Sequence, residues 1–156
     1  MSKRPTSAPS VPRNLRHLRL FLAVAETGSV TDAAARCHVT QPAVTQALAK
    51  LELAIGATLF ERTRQGFFAT PQGVILAERI RRALARLDPA LSDIAPRLTL
   101  TASLAQLQAL VALRETENFT LAARRLGLAQ PTVHRAITQL EQEAGRILFE
   151  RTAFGM

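Results

Sequence analysis

The chain has 156 residues, a formal net charge of +8, and a composition that is 47% hydrophobic but only 4% aromatic. That apolar share excludes wholesale disorder, and an Ala- and Leu-dominated chain favours closely packed helices, so a mainly α fold in one or two small domains is expected. A small basic chain points to a polyanionic partner, and the excess is uneven: residues 1–98 carry 14 Lys+Arg against 7 Asp+Glu, residues 99–156 only 6 against 5.

Residues 1–13, rich in Ser, Pro, Lys and Arg, read as a flexible basic arm. No apolar run precedes Leu15, so the arm is no secretory signal. Nor does any stretch approach the roughly 18 apolar residues of a membrane span, so a cytoplasmic location without a membrane partner is expected. A first domain is expected over 14–73. Leu15, Leu18, Phe21, Leu22 and Ala25 recur at helical spacing and predict a first helix with one apolar stripe. Gly28 ends it, because glycine enters the left-handed turn after a helix without a Cβ clash. Ser29, with Asp32 three residues on, starts a short second helix through Ala33-Ala34-Ala35 to about His38. The only cysteine, Cys37, falls here and reads as a small buried residue; alone it makes neither a disulfide nor a zinc spacing.

Val39-Thr40 reads as a turn, with Thr40 as N-cap and Pro42 in the first turn of a third helix from Gln41 to about Ile55. That helix buries Val44, Leu48, Leu51 and Ile55 and leaves Gln41, Ala43, Thr45, Gln46 and Lys50 on the opposite face. The period then changes. Thr58–Arg62, a tight Arg64-Gln65-Gly66 stretch and Phe67–Thr70 predict a two-stranded hairpin, with one of Phe67 and Phe68 in the core and the other beneath the hairpin.

Three helices followed by a β-hairpin form a winged helix-turn-helix, whose third helix enters the DNA major groove while the hairpin lies over phosphates. Thr40, Gln41, Pro42, Thr45 and Gln46 then sit at the exposed start of the reading helix, with Lys50 further along it. The two glutamines can donate and accept together, as the adenine edge requires, and Thr45 can reach a base or a phosphate. Arg62 and Arg64 on the wing suit phosphate or minor-groove contact, although Arg62 could instead pair with a nearby carboxylate.

From Leu15 through Gly73 the chain resembles the N-terminal domain of LysR-type transcriptional regulators. The residues that carry the likeness are Phe21, Val24-Ala25-Glu26, Gly28-Ser29, Thr31, Ala33-Ala34, Gln41-Pro42-Ala43-Val44-Thr45, Leu51-Glu52, Gly56, Leu59-Phe60-Glu61-Arg62 and Thr70-Pro71-Gln72-Gly73. The resemblance implies that a dimerising linker helix follows the wing, and that an effector-binding domain follows in full-length members. Where many members place Arg, this unit has Gln46.

A linker helix with a Pro-containing connection is expected over 74–100. Ala77, Ile80, Leu84, Leu87, Leu91 and Ile94 step by three and four, a heptad seam that suits a homodimer or packing back onto the chain's own units. Pro89 is expected to interrupt this helix, with Asp88-Pro89 restarting it.

Residues 101–156 repeat the pattern. Gln41-Pro42 recurs as Gln130-Pro131, an offset of 89, and on that offset 21 of the 49 positions from Leu15 to Thr63 are identical in Leu104–Thr152. The fold expected is therefore two tandem winged helix-turn-helix units joined by a linker helix. The second reading face would carry Gln130, Pro131, His134 and Arg135, with Arg151 at the wing. Arg135 stands where the first unit has Gln46 and can hold guanine bidentately. Ala129 replaces the capping Thr40. Four residues after Thr152 leave no second wing strand, so this unit reads as truncated.

No glycine-rich phosphate loop, metal-ligand spacing or nucleophile motif is present, so neither an enzyme nor a cofactor is expected. The expected partner is double-stranded DNA, with no small-molecule effector site in these residues. The competing expectation is a dimerisation or protein-interaction adaptor, which would lack a steep dependence of DNA affinity on salt.

Overall fold

A computed structural model describes residues 14–151 of the protein; the expected basic arm (1–13) and the last five residues lie outside them. In chain order the elements are α1 (Leu15–Thr27), α2 (Val30–Arg36), α3 (Gln41–Ile55), β1 (Phe60–Thr63), β2 (Gly66–Ala69), α4 (Pro71–Ile94), α5 (Leu98–Thr101), α6 (Leu104–Thr116), α7 (Phe119–Leu126) and α8 (Gln130–Ala144). The chain divides into two compact units, one ending at Ala85 and the other beginning at Arg86.

In the first unit, side-chain caps fix where the helices begin. Asn14 accepts from His17 N–H, Ser29 from Asp32 N–H and Thr40 from Ala43 N–H, each meeting one of the donors that a helix start leaves orphaned. The stripe of α1 is broader than its spacing suggested. Leu20, Phe21, Ala23 and Val24 are buried, while Leu15, Leu18, Leu22 and Ala25 are only half-buried. Small residues Ala33 and Ala34 let α2 sit close, and Val44, Ala47, Leu48 and Leu51 of α3 close the core. Ile55, expected in that core, is half-buried.

β1 and β2 form an antiparallel hairpin in which Phe60 faces Ala69 and Arg62 faces Phe67. Phe60 is the buried anchor, its ring 5.1 Å from Phe21 of α1 and 6.1 Å from Phe67. Phe68 differs from expectation: it points away from the hairpin's inner side and is half exposed. Strand alternation allows only one of two adjacent residues inward, and Phe67 takes that place.

Thr70 ties hairpin to helix. Its Oγ donates to the Thr58 carbonyl at 2.7 Å and accepts from Gly73 N–H at 3.1 Å, capping α4. α4 then runs unbroken from Pro71 to Ile94 through Pro89, which corrects the expectation that Pro89 would interrupt it. Proline there removes one N–H and crowds the Ala85 carbonyl, a local cost that apolar anchoring on both sides of it can outweigh. Ala77, Ile80 and Leu84 are buried in this single chain. Leu91 is buried with Leu98 and Leu140, and Leu87 packs on the same cluster. The heptad seam expected to face a second chain is thus covered within this one, the other outcome that its spacing allowed.

The second unit repeats three helices in the same order. Ser103 and Gln106 form a reciprocal capping box at α6, and Asn118 accepts from Leu121 N–H at the start of α7. Leu113, Ala122, Ala123, Val133 and Ile137 form its core, against which Phe119 and Phe149 pack. After α8 the described residues, to Arg151, contain no strand.

Candidate nucleic-acid interface

α3 is held by one face and presents the other. With Val44, Ala47, Leu48 and Leu51 buried, the residues between them are turned outward: Gln41, Pro42, Thr45, Gln46 and Lys50 are all exposed. Thr40 caps this helix and Pro42 occupies its first turn, with no acidic residue there. The helix start therefore offers an uncompensated positive end, suited to an anion. Thr45 Oγ donates to the Gln41 carbonyl at 3.2 Å, so its hydroxyl proton is spent on its own helix and its lone pairs remain for a partner.

His17 of α1 lies against this edge. Burial, then the charges of Lys50 and Arg16, push its imidazole below the usual histidine range. Lys50 thus adds to a positive edge shared with α1.

On the wing, Arg62 and Arg64 are exposed. The Arg62 guanidinium lies 5.0 Å from the centre of the Phe67 ring, its cross-strand partner, so the anticipated alternative of a carboxylate pair gives way to a cation–π contact. Among the described residues no carboxylate pairs with Lys50, Arg62 or Arg64. Three other arginines of this unit do meet carboxylates: Arg36 pairs with Glu26 at 2.7 Å, and Arg81 and Arg82 with Glu78 at 2.8 and 3.0 Å.

The second unit brings Gln130, Pro131 and Arg135 to the exposed face of α8, along a shallow open groove that also includes Thr138, Gln139 and Gln142. Ala129 supplies no side-chain cap, as its identity dictates. His134 is placed differently from Thr45. Its ring stacks on Phe119, with centroids 4.6 Å apart and planes 21° from parallel, and its Nε2 is hydrogen-bonded by Arg151. Phe119 carried no sequence signal for a site; only the pairing of two aromatic replacements at one offset could have marked it.

Cys37 is half-buried rather than fully buried, and burial raises its thiol above the usual range against the opposing pull of Arg36 and Arg19. Among the described residues no cluster of three His, Cys, Asp or Glu could hold a metal, and no helix is long and apolar enough to cross a membrane.

The family model of bacterial regulatory helix-turn-helix proteins of the lysR family matches residues 15–74 and again 104–156. The chain belongs to this family. It is 40% identical over 146 residues to the HTH-type transcriptional regulator GalR of Pseudomonas putida (strain KT2440), a match covering 92% of this chain and 37% of that protein. It is 45% identical over 75 residues to the transcriptional activator protein LysR of Escherichia coli (strain K12), covering 48% of this chain and 24% of that one. Among solved structures, the OxyR C206 mutant of Corynebacterium glutamicum is similar with a TM-score of 0.51 and 31% identity, over 53% of this chain and 27% of that chain. The lysR-family chain described here therefore spans well under half the length of these regulators.

Proposed function

We propose that this lysR-family chain is a sequence-specific duplex-DNA-binding transcriptional regulator in which α3 enters the major groove and the β1–β2 wing lies on the backbone. The observation that carries the reading is a set of exposed residues in the first unit, Gln41, Thr45, Gln46 and Lys50 on α3 with Arg62 and Arg64 on the wing, whose cations have no carboxylate partner among the described residues. Polar groups at the helix start can read base edges, and fixed positive charge beside them neutralises phosphates. Thr40 caps the helix and Pro42 sets its first turn, so both act on the geometry of that start.

The chain carries two tandem copies of the unit, the second bearing Gln130, Pro131, His134, Arg135 and Arg151. Three observations support the duplication: the family model matches twice, each unit has three helices in the same order, and a 146-residue match to GalR must include most of both segments. Dimerisation through α4 would use a face other than its covered seam, and Val74 and Ile75 are the apolar residues it leaves exposed.

Titration of duplex DNA at several salt concentrations tests the reading. The chain should bind with an affinity that falls steeply with salt, and Arg62→Ala should lower the slope by about 0.9, one phosphate contact. Gln41→Ala should weaken binding to a selected site while leaving the slope unchanged. Binding without salt dependence, or variants indistinguishable from the parent chain, would favour the adaptor role.

A further inference from the structure

Both units have an arginine at the repeat offset, Arg62 in β1 and Arg151 seven residues past α8, but they hold it differently. In the first, the guanidinium rests on Phe67 of β2. In the second, Arg151 lies 5.8 Å from the centre of the Phe119 ring, the first residue of α7, and hydrogen-bonds His134 of α8. A guanidinium can only donate, so Nε2 is the acceptor nitrogen of that imidazole and the ring lies flat on Phe119 as a shelf. At the equivalent positions the first unit has Val30 and Thr45, neither aromatic, and Thr45 turns its hydroxyl back to its own helix. Two residues far apart in sequence thus both differ from the first unit on facing positions, while the arginine they meet is the same in both.

We infer that His134, stacked on Phe119, is the positioning residue for Arg151 as a DNA-phosphate contact of the second unit. The shelf does from α7 and α8 what β2 does in the first unit, using no residue beyond Arg151. His134 then is not a base reader. Its ring is turned to Phe119, and base reading on α8 falls to Gln130 and Arg135, both exposed. A long side chain already seated on a ring has less rotamer freedom to lose when phosphate arrives. This inference rests on the DNA-binding reading above.

The test is a double-mutant cycle in the full chain, read as affinity for mixed-sequence duplex DNA. His134→Phe keeps the stack and removes the acceptor; Phe119→Val and His134→Thr restore the first unit's residues. Each should weaken binding about two- to tenfold, the cost of ordering one long side chain. Each should have no effect once Arg151→Ala is present, because their role runs through that arginine. A purely structural role would instead weaken binding equally with and without Arg151, and thermal unfolding of each variant separates that case from misfolding. If the parent chain binds no duplex, the DNA reading itself fails and this inference with it. If Arg62→Ala weakens binding while the variants of the second unit leave it unchanged, the DNA reading stands and this inference alone is overturned.

Discussion

Glu52 accepts the backbone N–H of Leu59 at 2.7 Å, bending the chain from the end of α3 into the wing. The same oxygen also takes the Phe60 N–H at 3.4 Å. At the repeat offset Glu141 does the same for Leu148 and Phe149, at 2.8 and 3.1 Å. One carboxylate thus satisfies two amides past the helix, that of Leu59 just before β1 and that of Phe60 at its first position. Removing it leaves two part-buried donors short of a partner, so Glu52→Ala should cost about 1–3 kcal/mol. Glu52→Gln keeps an acceptor oxygen and should cost less. Urea unfolding of both variants checks this, and the equivalent pair at Glu141 should behave alike.

Gly73 offers a sharper test of the junction between wing and α4. A Cβ built there would lie 2.2 Å from the Leu59 carbonyl oxygen, a backbone atom with no freedom to swing away. Gly73→Ala must therefore push the start of α4 off the hairpin, at a cost of about 3 kcal/mol or more. The expected outcome is a lower melting temperature and loss of the Thr70 cap, seen as faster amide exchange at Gly73.

Helix ends give a prediction of opposite sign. The residue after the first helix of each unit is left-handed, Gly28 at φ 69° and Glu117 at φ 50°. The short second helix ends similarly near His38 at φ 56° in one unit and at Gly127, φ 66°, in the other. Each unit thus places glycine at one such site and a strained residue at the other. Glu117→Gly and His38→Gly should each stabilise by about 1 kcal/mol, since only glycine enters that region without a Cβ penalty. Paired thermal melts with the parent chain would show it.

The start of α3 and the wing residues were legible because their signals are local: a capping Thr40, Pro42 in the first turn, and the switch from helical to alternating apolar spacing after Gly56. What escaped depends on contacts distant in sequence. Periodicity shows that Ala77, Ile80 and Leu84 share a face but not which surface covers it, and here this chain does. Proline at position 89 reads locally as a break, yet α4 continues through it. Glu52 was visible as a repeated residue, whereas its role needs the chain reversal that brings Leu59 back over it. Phe119 stands at the start of α7, and only the fold sets its ring against His134.

Acid should weaken the first unit through His17. Its folded value lies below the ordinary range, with burial as the main cause, so between that value and the unfolded pKa of about 6.5 the unfolded chain binds more protons. Stability from the neutral imidazole is therefore complete above about pH 6.5 and is lost as pH falls through this window. His17→Gln cannot titrate, so its stability should fall less than that of the parent chain between about pH 7.5 and 5.5. Urea midpoints at those two values decide it; parallel losses in both proteins would show that His17 contributes nothing.

Pro89 lies within α4, four residues past Ala85, where the first compact unit ends. Proline cannot donate to the Ala85 carbonyl, and its ring crowds that oxygen, so α4 carries its weakest turn at this division. Interior proline costs a helix about 3 kcal/mol relative to alanine, but part of that is already relieved where the helix has adjusted around it. Pro89→Ala should therefore stabilise by about 1–3 kcal/mol. The gain should be local: slower amide exchange from Ala85 to Asp93, with α3 and α8 unchanged. Were exchange in this segment as slow in the parent chain as in the variant, the turn would carry no strain and the proline no cost.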